Sequence, residues 1–377
     1  MNKDAIIIGG GIIGCSIAMR LASEGLSVAI IERGKIGCEA SRAAAGMLCP
    51  QTEKLEPGAY FDLCLRSRSM YSDFAARIKE LSGIDPQYRE EGTIFVALDE
   101  NDDEESRLWT DWQKQSGLLI ERMTAEELKK IEPSVRDSTA GGVFIPGDHQ
   151  IENRLLMDAL AVAVRRAGVT VIEGSEVSSI TVGGNRARGV VCESERMEAG
   201  AVIVAAGSWS GRLIENFLPQ VKTIPARGQM IALRGDHVPM TRVLHSKRCY
   251  VIPRRDGRIL IGATVEYAGF QKAVTAQGIN SLLEAAIELT PELGGFEIVE
   301  TWCGLRPDTE DHLPIIGESG IENLFLATGH FRNGILLAPM TAELISEMVL
   351  NRRVPAEASR FGVERFTEGF AQSQARN

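Results

Sequence analysis

DAIIIGGGIIGCSIAMRLASEGLSVAIIERG, running from Asp4 to Gly34, decides the fold. Ala5–Ile8 is an apolar run without alternation, the pattern of a strand buried on both faces. Ile13, Ile17 and Leu21 then recur at helical spacing over Ile12–Glu24, and Gly25 ends the helix. Val28–Ile31 is a second buried strand, which completes a βαβ unit. Gly9, Gly11 and Gly14 fall between the first strand and the helix as G-x-G-x-x-G. The first glycine permits a tight turn, the second lets backbone approach a pyrophosphate, and the third lets helix and strand pack closely. The helix N-terminus turns N–H groups and a partial positive charge toward the anion. Glu32 ends the second strand and can accept from adenosine ribose hydroxyls. An acidic side chain there also argues against a 2′-phosphate. The turn therefore points to an adenine dinucleotide, and by itself leaves FAD and NAD both open.

The rest of the chain does not continue as regular βα repeats. Cys38–Pro50, CEASRAAAGMLCP, is rich in small residues and aperiodic; Ala43–Gly46 would let backbone pack against something flat. Tyr60–Ser82 reads as one amphipathic helix, Asp99–Leu118 as acidic surface, and Thr124–Pro133 as a helix with a capping box. Asp148–Gly168 is a strongly amphipathic helix, and Ala199–Leu213 a buried strand that ends in Ala-Ala-Gly at Ala205–Gly207. YVIPRRDGRILIGATV reads as a hairpin around Arg255-Asp256-Gly257, and NSLLEAAIELTPEL as a helix. The C-terminal NLFLATGHFRNGILLAPMTAELISEMVL runs strand, turn, helix. This order predicts an α/β protein, α+β overall, with a Rossmann-like dinucleotide domain and an inserted antiparallel or mixed-sheet domain.

Composition bounds the function. A chain of 377 residues is long enough for two domains, and a net charge of −10 argues against non-specific nucleic-acid binding. Seven scattered cysteines, with no CxxC and no zinc spacing, read as free thiols in a reducing compartment, with no metal site. With a strand starting at residue 5 and no apolar run of ~18 residues, neither signal peptide nor membrane span is expected. The expectation is a cytoplasmic protein.

Six segments resemble the D-amino-acid oxidase family of flavoproteins, in the family's order and across nearly the whole chain. They are IIIGGGIIGCSIAMRLA, SRAAAGML, VIVAAGSWS, YVIPRRDGRILIGAT, GLRPDTEDHLPIIG and GHFRNGILLAP. The resemblance implies a discontinuous FAD-binding domain (1–85, 145–220 and 300–365) with a substrate-binding domain from 86–144 and 221–299. It implies FAD-dependent oxidation of glycine or another small amino acid by hydride transfer. The products are an imine, hydrolysed to glyoxylate and ammonia, and hydrogen peroxide, in the service of thiamine thiazole synthesis. The alternatives are a D-amino-acid or sarcosine dehydrogenase with another electron acceptor, a flavoprotein subunit of a hetero-oligomer, and a non-catalytic dinucleotide-binding module.

By the same resemblance, Gly9, Gly11, Ile12, Ile13, Gly14, Glu32 and Arg33 hold the ADP part of FAD. Ser41, Ala44, Ala45, Gly46 and Met47 line the path to the flavin, and Val177 meets the adenine side. Ala206, Gly207, Gly304 and the run His330, Arg332, Asn333, Gly334, Ile335 and Leu336 complete the cofactor contacts. A helix beginning near Asn333 would point its positive end at the flavin's pyrimidine edge. Arg306 and Tyr250 correspond to the groups that take the substrate carboxylate, for which a guanidinium offers two parallel hydrogen bonds. Arg332 stabilises the flavin edge or the substrate region. Hydride transfer needs only a neutral amine, so no general base is assigned, His330 included. Cys303 lies in a segment comparable to one where related flavoproteins attach flavin to cysteine; the resemblance here implies non-covalent FAD. Cys49 replaces a small glycine of the related enzymes, and if it lined the pocket its thiol would change the volume. Molecular oxygen as co-substrate and a homotetramer are also implied, without nucleic-acid or membrane partners.

Overall fold

The computed structural model describes residues 2–53, 56–193 and 195–366. Its first sheet is built outward from the opening strand. Asn2–Ile8 pairs in parallel with Val28–Glu32 on one side and with Glu195–Val204 on the other. The parallel order continues to Thr170–Glu173 beyond one neighbour and to Leu324–Thr328 beyond the other. Ile315–Glu318 closes one edge antiparallel, and Val177–Val182 with Ala187–Cys192 extend Glu195–Val204 antiparallel. The unbroken apolar run of the first strand follows from this central place. Ala5 and Ile7 pack into one cluster with Ile17, Leu21, Leu160 and Met340 from helices, and Ile6 and Ile8 into another on the opposite face with Val177, Val202 and Val204.

The glycine turn is enforced by contact. Gly9 has φ +106°, and a Cβ at Gly14 would come 2.0 Å from the Gly9 carbonyl oxygen. Helix Ile12–Ser23 starts directly after Gly11.

The second sheet has the order Glu297–Asp308, Ile224–Arg234, Arg258–Gly262, Tyr250–Pro253, Val243–His245, Thr93–Ala97, Gly141–Ile145, Glu121–Met123. Its pairings are antiparallel except that between Val243–His245 and Thr93–Ala97, so the sheet is mixed. Leu282, Ala285, Ala286 and Leu289 of helix Ala276–Leu289 pack on Ile231, Leu233, Val251 and Ile261. The long strand Glu297–Asp308 belongs to this sheet and carries Gly304 and Arg306.

Several local expectations are corrected. Tyr60–Ser82 is two helices, Ala59–Ser69 and Tyr71–Ser82, stepped at Met70, whose N–H donates to the Ser67 carbonyl. The hydroxyls flanking the step are both fixed elsewhere: Ser67 donates to the Leu336 carbonyl at 2.7 Å and Tyr71 to that of Ile335 at 2.6 Å. The helix expected from Asp148 starts at Asn153, because Asp148 is engaged by the Gln51–Thr52 turn and His149–Gln150 pairs with Met47–Leu48. Asp99–Leu118 is more than acidic surface. Asp99 caps a helix, Glu100–Gln115, whose Trp109 is buried edge-on against Phe95. The capping box at Thr124 is present as read, with Glu127 returning the bond.

Candidate functional site

The carboxyl ends of the parallel strands open into a cleft of about 590 Å³ that runs to the face of the second sheet. At one end lie Gly9, Gly11, Ile12 and Ile13 of the glycine turn, with Glu32 and Arg33 beside them. Ser41 Oγ accepts from the Ile12 amide at 3.0 Å, which satisfies one free N–H of the helix start. Glu32 accepts from the Gly10 amide and from the Gly34 amide, both at 2.8 Å, so its carboxylate is pinned on the cleft wall. A carboxylate has acceptor capacity beyond two bonds, and Glu32 can still receive a ribose hydroxyl. Val177, Ala206 and Gly207 line the same end. The sequence reading missed Trp209 and Arg212 there. Arg33 stacks on the Trp209 ring, 3.6 Å from its centroid, and pairs with Glu39. Gly14 does not line the cleft; it packs against Gly9 beneath it.

The small-residue loop forms the middle of the wall through Ser41, Ala44, Ala45, Gly46 and Met47. Residues outside the lining take its carbonyls. Trp302 Nε1 donates to Ala43, buried Arg254 to Ala45, and the Ile151 amide to Gly46 at 2.8 Å. Asn153 Nδ2 spans the Ser41 and Arg42 carbonyls. With its acceptors engaged on the far side, the loop is a rigid, side-chain-poor surface against which a planar ring can lie. Arg254, Trp302 and Asn153 belong to the site's support and carry no local sequence signal.

At the other end the second sheet contributes Tyr250, Gly304 and Arg306, and the C-terminal turn contributes His330, Arg332, Gly334 and Ile335. Arg306 Nη1 donates to the Thr264 carbonyl at 3.0 Å, and among the described residues the guanidinium forms no ion pair. Burial pushes it below the usual arginine range, against the pull of Tyr250 beside it. Arginine nevertheless stays charged in proteins. Burial raises the Tyr250 phenol, so its hydroxyl remains a donor at neutral pH; in this structure it points at Met230 Sδ, 3.3 Å away.

Arg332 differs. It makes a bidentate pair with Glu53, Nε–Oε2 2.7 Å and Nη2–Oε1 2.9 Å. Burial would raise the Glu53 carboxyl, but Arg332, with smaller pulls from His245 and Arg306, outweighs it and holds the group below the usual carboxylate range. Glu53 lines the cleft and was missed by the sequence reading. His330 is buried, its Nε2 lies 3.0 Å from Thr341 Oγ1, and burial lowers its pKa to about 3, so it is neutral.

Asn333 and Leu336 do not line the cleft. Asn333 Nδ2 donates to Tyr60 and Leu336 is fully buried. The helix expected near Asn333 begins at Ala338, after a 3₁₀ turn at Phe331–Asn333. Pro339 explains the start, since proline fits only the first turn of a helix. Cys49 is buried behind the wall against Thr93 and the His149 carbonyl, so its thiol does not alter the cleft volume. Cys303 also lies outside the lining, and burial raises its thiol.

A cleft with a glycine turn at a helix N-terminus, a carboxylate on the second strand and a small-residue wall fits a flavin dinucleotide. Residues 4–348 match the FAD dependent oxidoreductase (DAO) family. This chain belongs to that family. FAD is therefore its cofactor, and the chain is an oxidoreductase. It is 38% identical over 375 residues to the bifunctional protein ThiO/ThiG of Synechocystis sp., covering 97% of this chain and 54% of that protein. The chain thus spans about half the length of that bifunctional relative. It is 36% identical over 369 residues to a glycine oxidase of Geobacillus kaustophilus, covering 96% of this chain and 97% of that enzyme. The crystal structure of glycine oxidase from Geobacillus kaustophilus superposes with a TM-score of 0.91 at 34% identity, over 96% of this chain and 98% of that one. Among the described residues no helix is long and apolar enough to cross a membrane, and no His/Cys/Asp/Glu group could hold a metal ion.

Proposed function

We propose that this chain oxidises glycine, or a comparably small amino acid, with non-covalently bound FAD. The observation that carries the reading is Arg306: a charged guanidinium without an ion-pair partner among the described residues, next to a Tyr250 hydroxyl, at the far end of a dinucleotide cleft. A desolvated, unpaired charge is costly and calls for an anion. In this reading the first sheet is the FAD-binding domain and the second the substrate domain. The Gly9–Ile13 turn, Glu32 and Ser41 take the ADP part, and the Ala44–Met47 wall supports the ring.

FAD, when bound, supplies a two-electron acceptor that oxygen regenerates with release of hydrogen peroxide. Arg306 and Tyr250 fix the carboxylate and thereby set the α-carbon for loss of hydride. The imine left behind hydrolyses to glyoxylate and ammonia, or feeds thiazole assembly for thiamine. Neutral His330, hydrogen-bonded to Thr341, carries no proton in the step. The bound Arg332–Glu53 pair walls the pocket and sets the local field without claiming the carboxylate. The reading extends to a homotetramer in the cytoplasm.

The test is an absorbance spectrum of the purified protein before and after glycine without air. Bleaching of the flavin bands, followed by their return in air with peroxide, is expected. A flavin spectrum indifferent to glycine but bleached by sarcosine or D-alanine would transfer the reaction to that substrate. A colourless protein that takes up no FAD would overturn the reading.

A further inference from the structure

The Arg306 guanidinium lies flat on the neighbouring strand: a Cβ at Gly228 would come 2.3 Å from its Nη1. Among the described residues its one main-chain acceptor is the Thr264 carbonyl. Thr264 sits between strand Arg258–Gly262 and helix Ala276–Leu289, in a segment with no helix and no strand pairing beyond a single bridge at Glu266. Something other than a sheet ladder must hold that carbonyl in place.

Glu266 does so from behind the cleft, which it does not line. Its Oε1 accepts from Thr264 Oγ1 and from Gln229 Nε2, both at 2.6 Å. Its Oε2 accepts from Arg227 Nε at 3.1 Å and from Nη2 of the same guanidinium. The Gln229 amide donates to Thr264 Oγ1 at 2.9 Å, so the threonine hydroxyl is fixed from both sides. Main-chain bonds in both directions between Arg227 and Glu266, 2.8 and 2.9 Å, tie the segment to the strand that carries Gly228. These donors hold the Glu266 carboxyl below the usual range although burial opposes them. Arg227 pairs with it, so the charge of the carboxylate is balanced within the network.

We propose that Glu266 is a positioning residue for substrate binding: through Thr264 it fixes the Arg306 guanidinium so that one N–H is spent on a main-chain carbonyl and the remainder faces the cleft. This rests on Arg306 being the carboxylate anchor. Glu266→Gln keeps the shape but leaves one carbonyl oxygen for two donor sets; with that oxygen drawn to the Arg227 cation, its NH₂ meets the Gln229 Nε2 donor and a Thr264 hydroxyl that already accepts from the Gln229 main-chain N–H, which loosens Thr264.

The experiment uses the FAD-loaded protein with acetate as a non-reacting probe, read through the flavin absorbance, alongside steady-state kinetics with glycine. For Glu266→Gln the acetate Kd and glycine KM should each rise about tenfold, with kcat within about twofold and the spectrum of the free enzyme unchanged. Thr264→Val, which keeps the carbonyl and loses the hydroxyl, should give about threefold by the same logic and serves if Glu266→Gln does not fold. An acetate Kd within about twofold of wild type in the folded variant overturns the proposal. Arg306→Ala separates the two levels. If it binds acetate as wild type does, the anchor reading itself has failed. If it loses acetate while Glu266→Gln keeps it, only the role of Glu266 falls.

Discussion

Two arginines reach the same end of the cleft in opposite electrostatic states. Arg332 arrives with its countercharge: both carboxylate oxygens of Glu53 are on it, and the pair is complete without a ligand. Arg306 arrives with a main-chain carbonyl on one N–H and, among the described residues, no carboxylate paired with it, Glu53 acting on it only at longer range. Residue type and place in the cleft are alike, so what separates a wall from a binding site is the unmet charge. An ion pair closes the valence of its surroundings, whereas an uncompensated guanidinium is stabilised by whatever anion enters.

The largest expected effect removes the vacant arginine. Arg306→Ala should lower kcat/KM for glycine by about 100-fold or more, consistent with the 2–5 kcal/mol typical of truncating one partner of a buried charge pair. FAD content should be retained, since none of the glycine-turn contacts involve Arg306. A variant with near wild-type kcat/KM would put Arg306 and Arg332 in the same structural class.

The second erases the difference from the other side. Glu53→Gln leaves Arg332 as exposed to need as Arg306. Breaking one partner of this partly exposed pair should cost about 2 kcal/mol of stability, less than a fully buried pair would, read from denaturant midpoints. A loss under about 1 kcal/mol would mean the pair is worth no more than a surface salt bridge.

The third concerns the neutral neighbour of Arg332. Burial depresses the His330 pKa to about 3, well below its unfolded value. The unfolded chain therefore takes up the proton first, and stability conferred by this group is complete above about pH 6.5 and lost as pH falls toward 3. At pH 5 the loss is about 2 kcal/mol for an unfolded pKa near 6.5. His330→Gln should flatten the fall in melting temperature between pH 7.5 and pH 5. Equal slopes for both proteins would mean that His330 titrates normally, and a second positive charge would then sit beside Arg332 in mild acid.

The two ends of the cleft were unequally legible. Gly9, Gly11, Gly14 and Glu32 lie within a short run, and each answers a requirement that leaves a mark in sequence: a positive φ, a close approach, an acceptor at a strand end; Ser41 was found only through the resemblance, and its bond to the free Ile12 N–H came with the structure. The buried strands on either side were legible for the same reason, since a strand covered on both faces must be apolar throughout. The other end is assembled by contacts with no local mark. Glu53 meets Arg332 across 279 positions of sequence, and Trp302 meets the Ala43 carbonyl across 259. Tyr250 and Arg306 were found through motif resemblance, not through periodicity. The expected helix at Asn333 failed because the apolar pattern continues through a 3₁₀ turn, and only Pro339 marks where regular helix can begin. The step at Met70 was equally hidden, since the hydroxyl anchors that flank it are spent on carbonyls far along the chain.

The most direct measurement is a crystal structure of the FAD-loaded protein with glycolate, a carboxylate close to glycine in size. The account predicts the carboxylate on Arg306, with the Tyr250 hydroxyl turned from Met230 to meet it and Glu53 still paired with Arg332. Glycolate seated on Arg332 with Glu53 displaced, and Arg306 left on Thr264 alone, would contradict it.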